Sequence, residues 1–389
     1  MHVRQKCMRR WDKALGDGVA RSASLWTICA SSTVSPSRNC GVPGSRAEVA
    51  ENIRLPPPSR RARTFDRYAG ARQSRHMPRR LALVIILWLG LLNGRAVAEP
   101  ERRDLQIRRA DDSLLTVEIY DRKVGSPDQA LMVLQGSACN TTQSLAWFDQ
   151  VLREASTRWV VVVAKDASSD AGVCGPGYEA HATEEARWFD HLSAARRLKQ
   201  ELKLRDHGAF QLLAVSAGGL TACAMAGASE DVSALALLST GGGLTFRDEL
   251  EILTKGDPEF AEQRLRIQSD PRLGKTWMGQ TNPEIWWWSV LGKRCLPLLD
   301  GYRGAVLVVH GVKDTSTPIE SARTLVRGLK ARGVEVSDIE LPTEHDLGTK
   351  DLPPEENGLG RALAWLKGAP NREAESPRLN AEPTPAFDP

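Results

Sequence analysis

A serine hydroxyl attacks a carbonyl carbon only when a base takes its proton and a third group orients that base. The sequence offers such a set. Ser216 stands in QLLAVSAGGLTA, where an apolar, β-prone run gives way to small, helix-compatible residues. Downstream, VLVVHGVKDTSTP puts Asp314 just past one predicted strand, and DIELPTEHDLG puts His345 just past the next. Each residue has a plainer use: Ser216 as a turn or cap residue, Asp314 as an Asx-turn residue before Pro318. The shared position after strands is what argues for chemistry. His181, in a loop before a helix, is the second candidate base. His191 lies in an amphipathic helix and His207 in a turn, so both read as packing or surface residues. His310 reads as a structural hydrogen-bond donor.

Positioning these groups requires a sheet that gathers strand ends along one edge. From about Asp104 the chain alternates. DLQIRRA and LLTVEIY read as short strands around a turn at Asp111 and Asp112, and ALMVLQGS as an apolar strand ending at Gly136. WVVVVAKD reads as a strand buried on both faces. QSLAWFDQVLREAS predicts a helix of about a dozen residues, and EEARWFDHLSAARRLKQELK an amphipathic one. FQLLAVS, VSALALLST, GAVLVVHGV and VEVSDIELP add strands, while AGGLTACAMAGA, SARTLVRGLKARG and LGRALAWLKG add helices. The pattern predicts an α/β fold with a mainly parallel central sheet and helices on both faces. Residues 245–300 break the alternation and predict a helical cap insertion over the sheet edge, rich in tryptophan around WWW at 286–288. Those rings can line an acyl pocket or simply fill a core.

Over about residues 104–368 the chain resembles the α/β-hydrolase superfamily, among its esterase, dienelactone-hydrolase and prolyl-oligopeptidase-like serine hydrolases. AVSAG, Ala214 to Gly218, stands where that family has G-x-S-x-G between a strand and a helix, with alanine for the first glycine. The order Ser, Asp, His is also the family's. The resemblance implies that Ser216 attacks, His345 takes the proton, and Asp314 orients the imidazole. It further implies an oxyanion hole made by the backbone N–H of Ala217 and by the loop after VLQG at Ser137, with Ala138 the next amide along. Gln135-Gly136 occupies the place of His-Gly in many relatives. The implied reaction needs no cofactor and acts on a small-molecule or peptide acyl substrate, with carboxylic ester hydrolysis the leading class. A peptidase or acyltransferase on the same fold, and a catalytically silent binding protein, are the alternatives that Ala214 and Gln135 keep open.

The net charge of +4 conceals an asymmetry: residues 1–76 hold 15 Lys and Arg against 5 Asp and Glu, 77–98 hold three Arg and no acid, and 99–389 carry −9. No basic stripe follows residue 99, which argues against a nucleic-acid partner. MPRRLALVIILWLGLLNGRAVAEP has the parts of a signal peptide over 77–98: Arg79 and Arg80, the apolar run Leu81 to Leu92, and Ala96-Val97-Ala98 before the cut. Twelve apolar residues fall short of the roughly 20 a bilayer span needs. The expectation is an exported protein, periplasmic or secreted, with no stable membrane span after cleavage. Residues 1–76 are expected to be a non-native or disordered extension ahead of a start at Met77, 99–368 the catalytic domain, and 369–389 a disordered tail. Cys139, Cys174, Cys223 and Cys295 fall in the mature part; Cys139 with Cys174 is the favoured disulfide, each lying in a loop just after a strand. A bridge there is preferred to a reactive Cys139 thiol. No CxxC or His/Cys cluster points to a metal.

Overall fold

A computed structural model describes residues 99–369 apart from 176, 273 and 278–280. The expected extension, the leader at 77–98 and the tail after Ala369 lie outside the described residues. Eight strands form one sheet in the order β1-β2-β4-β3-β5-β6-β7-β8. They are β1 Glu101–Arg108, β2 Leu114–Asp121, β3 Ser126–Leu134, β4 Thr157–Val163, β5 Phe210–Val215, β6 Val232–Leu238, β7 Ala305–Gly311 and β8 Val336–Leu341. β1 and β2 pair antiparallel, as do β2 and β4. The remaining pairs are parallel.

Helices cover both faces. Along β5, Leu212 and Ala214 point into one core with Leu198 of α2 (Glu184–Glu201), Met225 of α3 (Gly218–Ala228) and Leu329 of α8 (Ile319–Lys330). Leu213 points the other way, into a core with Val151 of α1 (Phe148–Glu154) and Leu363 of α9 (Gly358–Gly368). Burial on both sides is why β6 and β7 read as unbroken apolar runs: every residue of each is buried. This is the α/β-hydrolase fold that the resemblance implies.

One helix is shorter than expected. Residues 142–144 form a 3₁₀ turn, and α1 runs for only seven residues. Local hydroxyl bonds compete with the helix: Ser144 Oγ donates to the Thr141 carbonyl at 2.9 Å, and Thr142 Oγ1 accepts from Gln135 at 3.2 Å.

Between β6 and β7 lie α4 (Phe246–Leu253), α5 (Pro258–Ser269), α6 (Glu284–Val290) and α7 (Cys295–Leu298). Asp257 caps α5, accepting from Glu259 N at 2.9 Å, with Pro258 in its first turn. Glu284, fully buried at the start of α6, is clamped by Arg266 and Arg272, which offsets the cost of its burial. Among the described residues no helix is long and apolar enough to cross a membrane.

Candidate active site

The parallel strands end together, and the candidate residues sit just beyond those ends. Ser216 follows β5 with φ +53°, a left-handed conformation costly for a residue with a Cβ. Its amide donates to the Leu238 carbonyl at the end of β6, 2.8 Å away. The turn is tight because its neighbours are small. A Cβ on Gly218 would lie 2.5 Å from the Leu134 carbonyl oxygen, and one on Gly219 would collide with Thr240. Ala214, at the position where the family motif has glycine, is fully buried between Leu134 and Leu237, so its methyl is accommodated in the core.

Asp314 follows β7 and uses both carboxylate oxygens. Oδ1 accepts the amides of Ser316 and Thr317 at 2.7 and 2.9 Å, an Asx-type turn. Oδ2 accepts from His345 Nδ1 at 2.7 Å. The plainer reading and the chemical one therefore hold at once, on different oxygens. Burial alone would raise this carboxyl's pKa, but the His345 hydrogen bond and charge, with the two amides, outweigh it and hold the carboxyl below its ordinary range. His345 lies after β8 in a loop held by Ser239, whose Oγ donates to the His345 carbonyl at 2.8 Å. Among the described residues, neither Ser216 Oγ nor His345 Nε2 has a hydrogen-bond partner, and they do not bond to each other. A hydroxyl that rotates freely commonly closes such a bond only when substrate is present.

Two sets of amides lie near this edge. The N–H groups of Ala217, Ser137 and Ala138 have no acceptor among the described residues. Ala217 stands at the N-terminus of α3, where the helix dipole favours negative charge. Gly136 brings the Ser137 loop against the serine: a Cβ there would lie 3.2 Å from Ser216 Cβ.

The far end of that loop is covalently tied, since the structure pairs Cys139 with Cys174; a second disulfide joins Cys223 to Cys295. Cys139 and Leu220 share an apolar cluster with Tyr178, Trp286 and Val290, against which Ala217 and Phe246 pack. Phe246 and Trp286 meet edge to face at 6.1 Å. Trp286 is buried in this wall, whereas Trp288 is exposed.

The other histidines divide. His207 is exposed, and His191 is buried with Nδ1 donating to the Arg187 carbonyl at 2.7 Å. His310 donates from Nε2 to the Thr317 carbonyl at 3.0 Å, behind Asp314. Burial lowers its pKa against the pull of Thr317 and Asp314. His181 has an aspartate at each ring nitrogen, Asp166 at Nδ1 and Asp111 at Nε2, near the end of β4 and away from Asp314.

Two buried titratable groups beside these residues escaped the sequence reading. Glu249 of α4 sits behind Asp314, accepting from Ser321 Oγ and, at 3.2 Å, from the Gly242 amide. Burial, together with Asp248 and Asp314, pushes it up to about 7 against those two hydrogen bonds. Lys165, just beyond β4, turns its Nζ to the carbonyls of Gly136, Ser137 and Ala138. Burial and then Arg187 push its pKa well down, with Glu184 opposing. A lysine after an apolar strand ordinarily reads as a snorkelling end, and its carbonyl partners leave no side-chain signal. Among the described residues no group of His, Cys, Asp and Glu is arranged to hold a metal ion.

No protein-family model matches the chain, and no curated protein sequence matches it. Solved structures similar to it include the acylaminoacyl peptidase of Pyrococcus horikoshii, at 14% identity and TM-score 0.47 over 77% of this chain and 44% of that one. Another is Est1E from Butyrivibrio proteoclasticus, at 14% identity and TM-score 0.46 over 70% of this chain and 99% of that one. A third is a hyperthermophilic esterase from the archaeon Pyrobaculum calidifontis, at 16% identity and TM-score 0.48 over 74% of this chain and 90% of that one. The chain thus spans less than half the length of the acylaminoacyl peptidase. These likenesses assign neither a substrate nor a set of catalytic residues.

Proposed function

We propose that the chain is a serine hydrolase that cleaves carboxylic esters through an acyl-enzyme. The observation that carries this reading is the His345 Nδ1 hydrogen bond to the buried Asp314 carboxylate, which leaves Nε2 free at the edge where Ser216 stands. As the Oγ–C bond forms, the carbonyl π pair moves onto oxygen and the serine proton passes to His345 Nε2. Asp314 stabilises the imidazolium. The oxyanion is met by the amides of Ala217 and Ser137. Collapse breaks the bond to the alcohol oxygen, which takes the proton from His345. Water then enters by the same route, releasing the acid and restoring the serine.

The helical insertion serves as the cap, and its Phe246–Trp286 wall supports an apolar acyl group. Two disulfides support an oxidising compartment and hence export through the leader at 77–98. An acyl-chain-length series of simple esters, with Ser216→Ala as the blank, tests the reading. The expected result is a chain-length optimum in the natural chain and no turnover above background in the variant. Turnover retained by Ser216→Ala would reject it, and no turnover by the natural chain would favour a binding role for the fold.

A further inference from the structure

Lys165 is a lysine buried beneath the loop after β3, with 6% of its surface exposed. Its Nζ donates to three consecutive carbonyls: Gly136, Ser137 at 3.0 Å and Ala138 at 2.6 Å. Three carbonyl acceptors match the three N–H donors of a protonated lysine and oppose the burial that pushes its pKa down. Such convergence fixes the peptide planes. In a trans peptide the N–H points opposite to the C=O, and the described chain has no cis bond. Drawing the carbonyls of Gly136 and Ser137 toward Lys165 therefore turns the N–H groups of Ser137 and Ala138 away from it. Those two amides have no protein acceptor among the described residues. The third behaves differently: the Cys139 N–H donates to the Gly172 carbonyl at 3.1 Å, beside the Cys139–Cys174 bridge. Successive free amides on one side of a turn form an anion-binding concavity, and Gly136 brings this one against Ser216.

We infer that Lys165 is a positioning residue for the oxyanion hole: its Nζ clamps the backs of the peptides whose N–H groups receive the anionic oxygen. The inference rests on the Ser216 reading proposed above. Lys165 touches neither the substrate nor Ser216. Its contribution is to set the donor geometry before charge develops, which is where electrostatic stabilisation of a transition state gains most.

The test measures kcat and KM for a short-chain ester in the natural chain and in Lys165→Met, with active sites counted by exhaustive fluorophosphonate titration. Affinity for a trifluoromethyl ketone, which forms a tetrahedral anion on a serine, is measured alongside. A merely structural lysine would lower the titrated fraction but leave kcat per titrated site unchanged. The inference expects kcat per site to fall about 10²-fold, KM to change less than about threefold, and ketone affinity to fall with kcat. If Lys165→Met gives no folded protein, Lys165→Arg decides. A planar guanidinium still donates but cannot cap three converging carbonyls from one nitrogen, so a drop of about tenfold per site is expected. Either variant turning over within twofold of the natural chain, per titrated site, would overturn the inference while leaving the Ser216 reading intact. A natural chain that does not label at all would overturn both.

Discussion

Two histidines at this sheet edge are held by aspartate in nearly the same way and differ in what is left over. His345 Nδ1 reaches Asp314 Oδ2 at 2.7 Å, and His181 Nδ1 reaches Asp166 Oδ2 at 2.8 Å. At His181 the second nitrogen is also occupied, by Asp111 Oδ2 at 2.9 Å. Both ring nitrogens of His181 thus already face a carboxylate oxygen, whereas His345 has one nitrogen without a partner among the described residues. The aspartates differ too. The Asp314 side chain is wholly buried, its Oδ2 bonding His345 with His310 Nε2 3.4 Å away, while Asp166 is partly exposed and shares its carboxylate with Arg109. A histidine–carboxylate pair is therefore not by itself a sign of a general base; the free second nitrogen is.

The comparison breaks most sharply under alanine substitution. His345→Ala is expected to lower kcat/KM on the order of 10⁶-fold, whereas His181→Ala should change it by less than about threefold. Parallel ester kinetics on the two variants check this, and a comparable loss at His181 would undo the distinction. Next in size is the carboxylate. Asp314→Asn should cost about 10⁴-fold in kcat through loss of the productive tautomer, and Asp166→Asn should leave kcat nearly unchanged.

Glu249 sharpens the electrostatic side of the contrast, because it adds a buried acid behind Asp314. Its pKa rises from 4.5 unfolded to about 7 folded. The folded state thus binds the extra proton between these values, and stability falls as pH climbs from about 4.5 to about 7. Glu249→Gln should remove about 2 to 3 kcal/mol of that decline. Urea unfolding at pH 5 and pH 8 measures it, and an unchanged pH slope in the variant would contradict it. Smallest of all is Asp111→Asn. Releasing His181 Nε2 from a largely exposed partner should cost less than about 1 kcal/mol by the same unfolding assay. It should restore no activity to His345→Ala, because a freed nitrogen at the end of β4 is still not beside Ser216.

Much of this arrangement is legible in the sequence for a physical reason. Strands buried on both faces, such as those ending at Leu238 and Gly311, have to be continuously apolar, so their ends, and the residues just past them, can be placed. Ser216 and Asp314 follow from that placement, and His345 from the alternating strand β8 that precedes it. What the sequence does not carry is the pairing of polar groups. Glu249 and Glu184 look like solvent-facing helix residues, yet both are buried against partners from distant segments. Lys165 finds backbone carbonyls, which every residue possesses. The second aspartate on His181 comes from a turn some 70 residues earlier in the chain. The hydroxyls at 141–144 likewise shortened α1 through contacts that the hydrophobic pattern does not register.

The central claim is that Ser216 is the nucleophile and that His345, not His181, activates it. The most direct measurement is intact-mass and peptide analysis after a fluorophosphonate pulse on the natural chain, His345→Ala and His181→Ala. The account predicts one adduct on the peptide containing Ser216 in the natural chain and in His181→Ala, and none in His345→Ala over the same pulse. An adduct on another serine, or full labelling of Ser216 without His345, would contradict it.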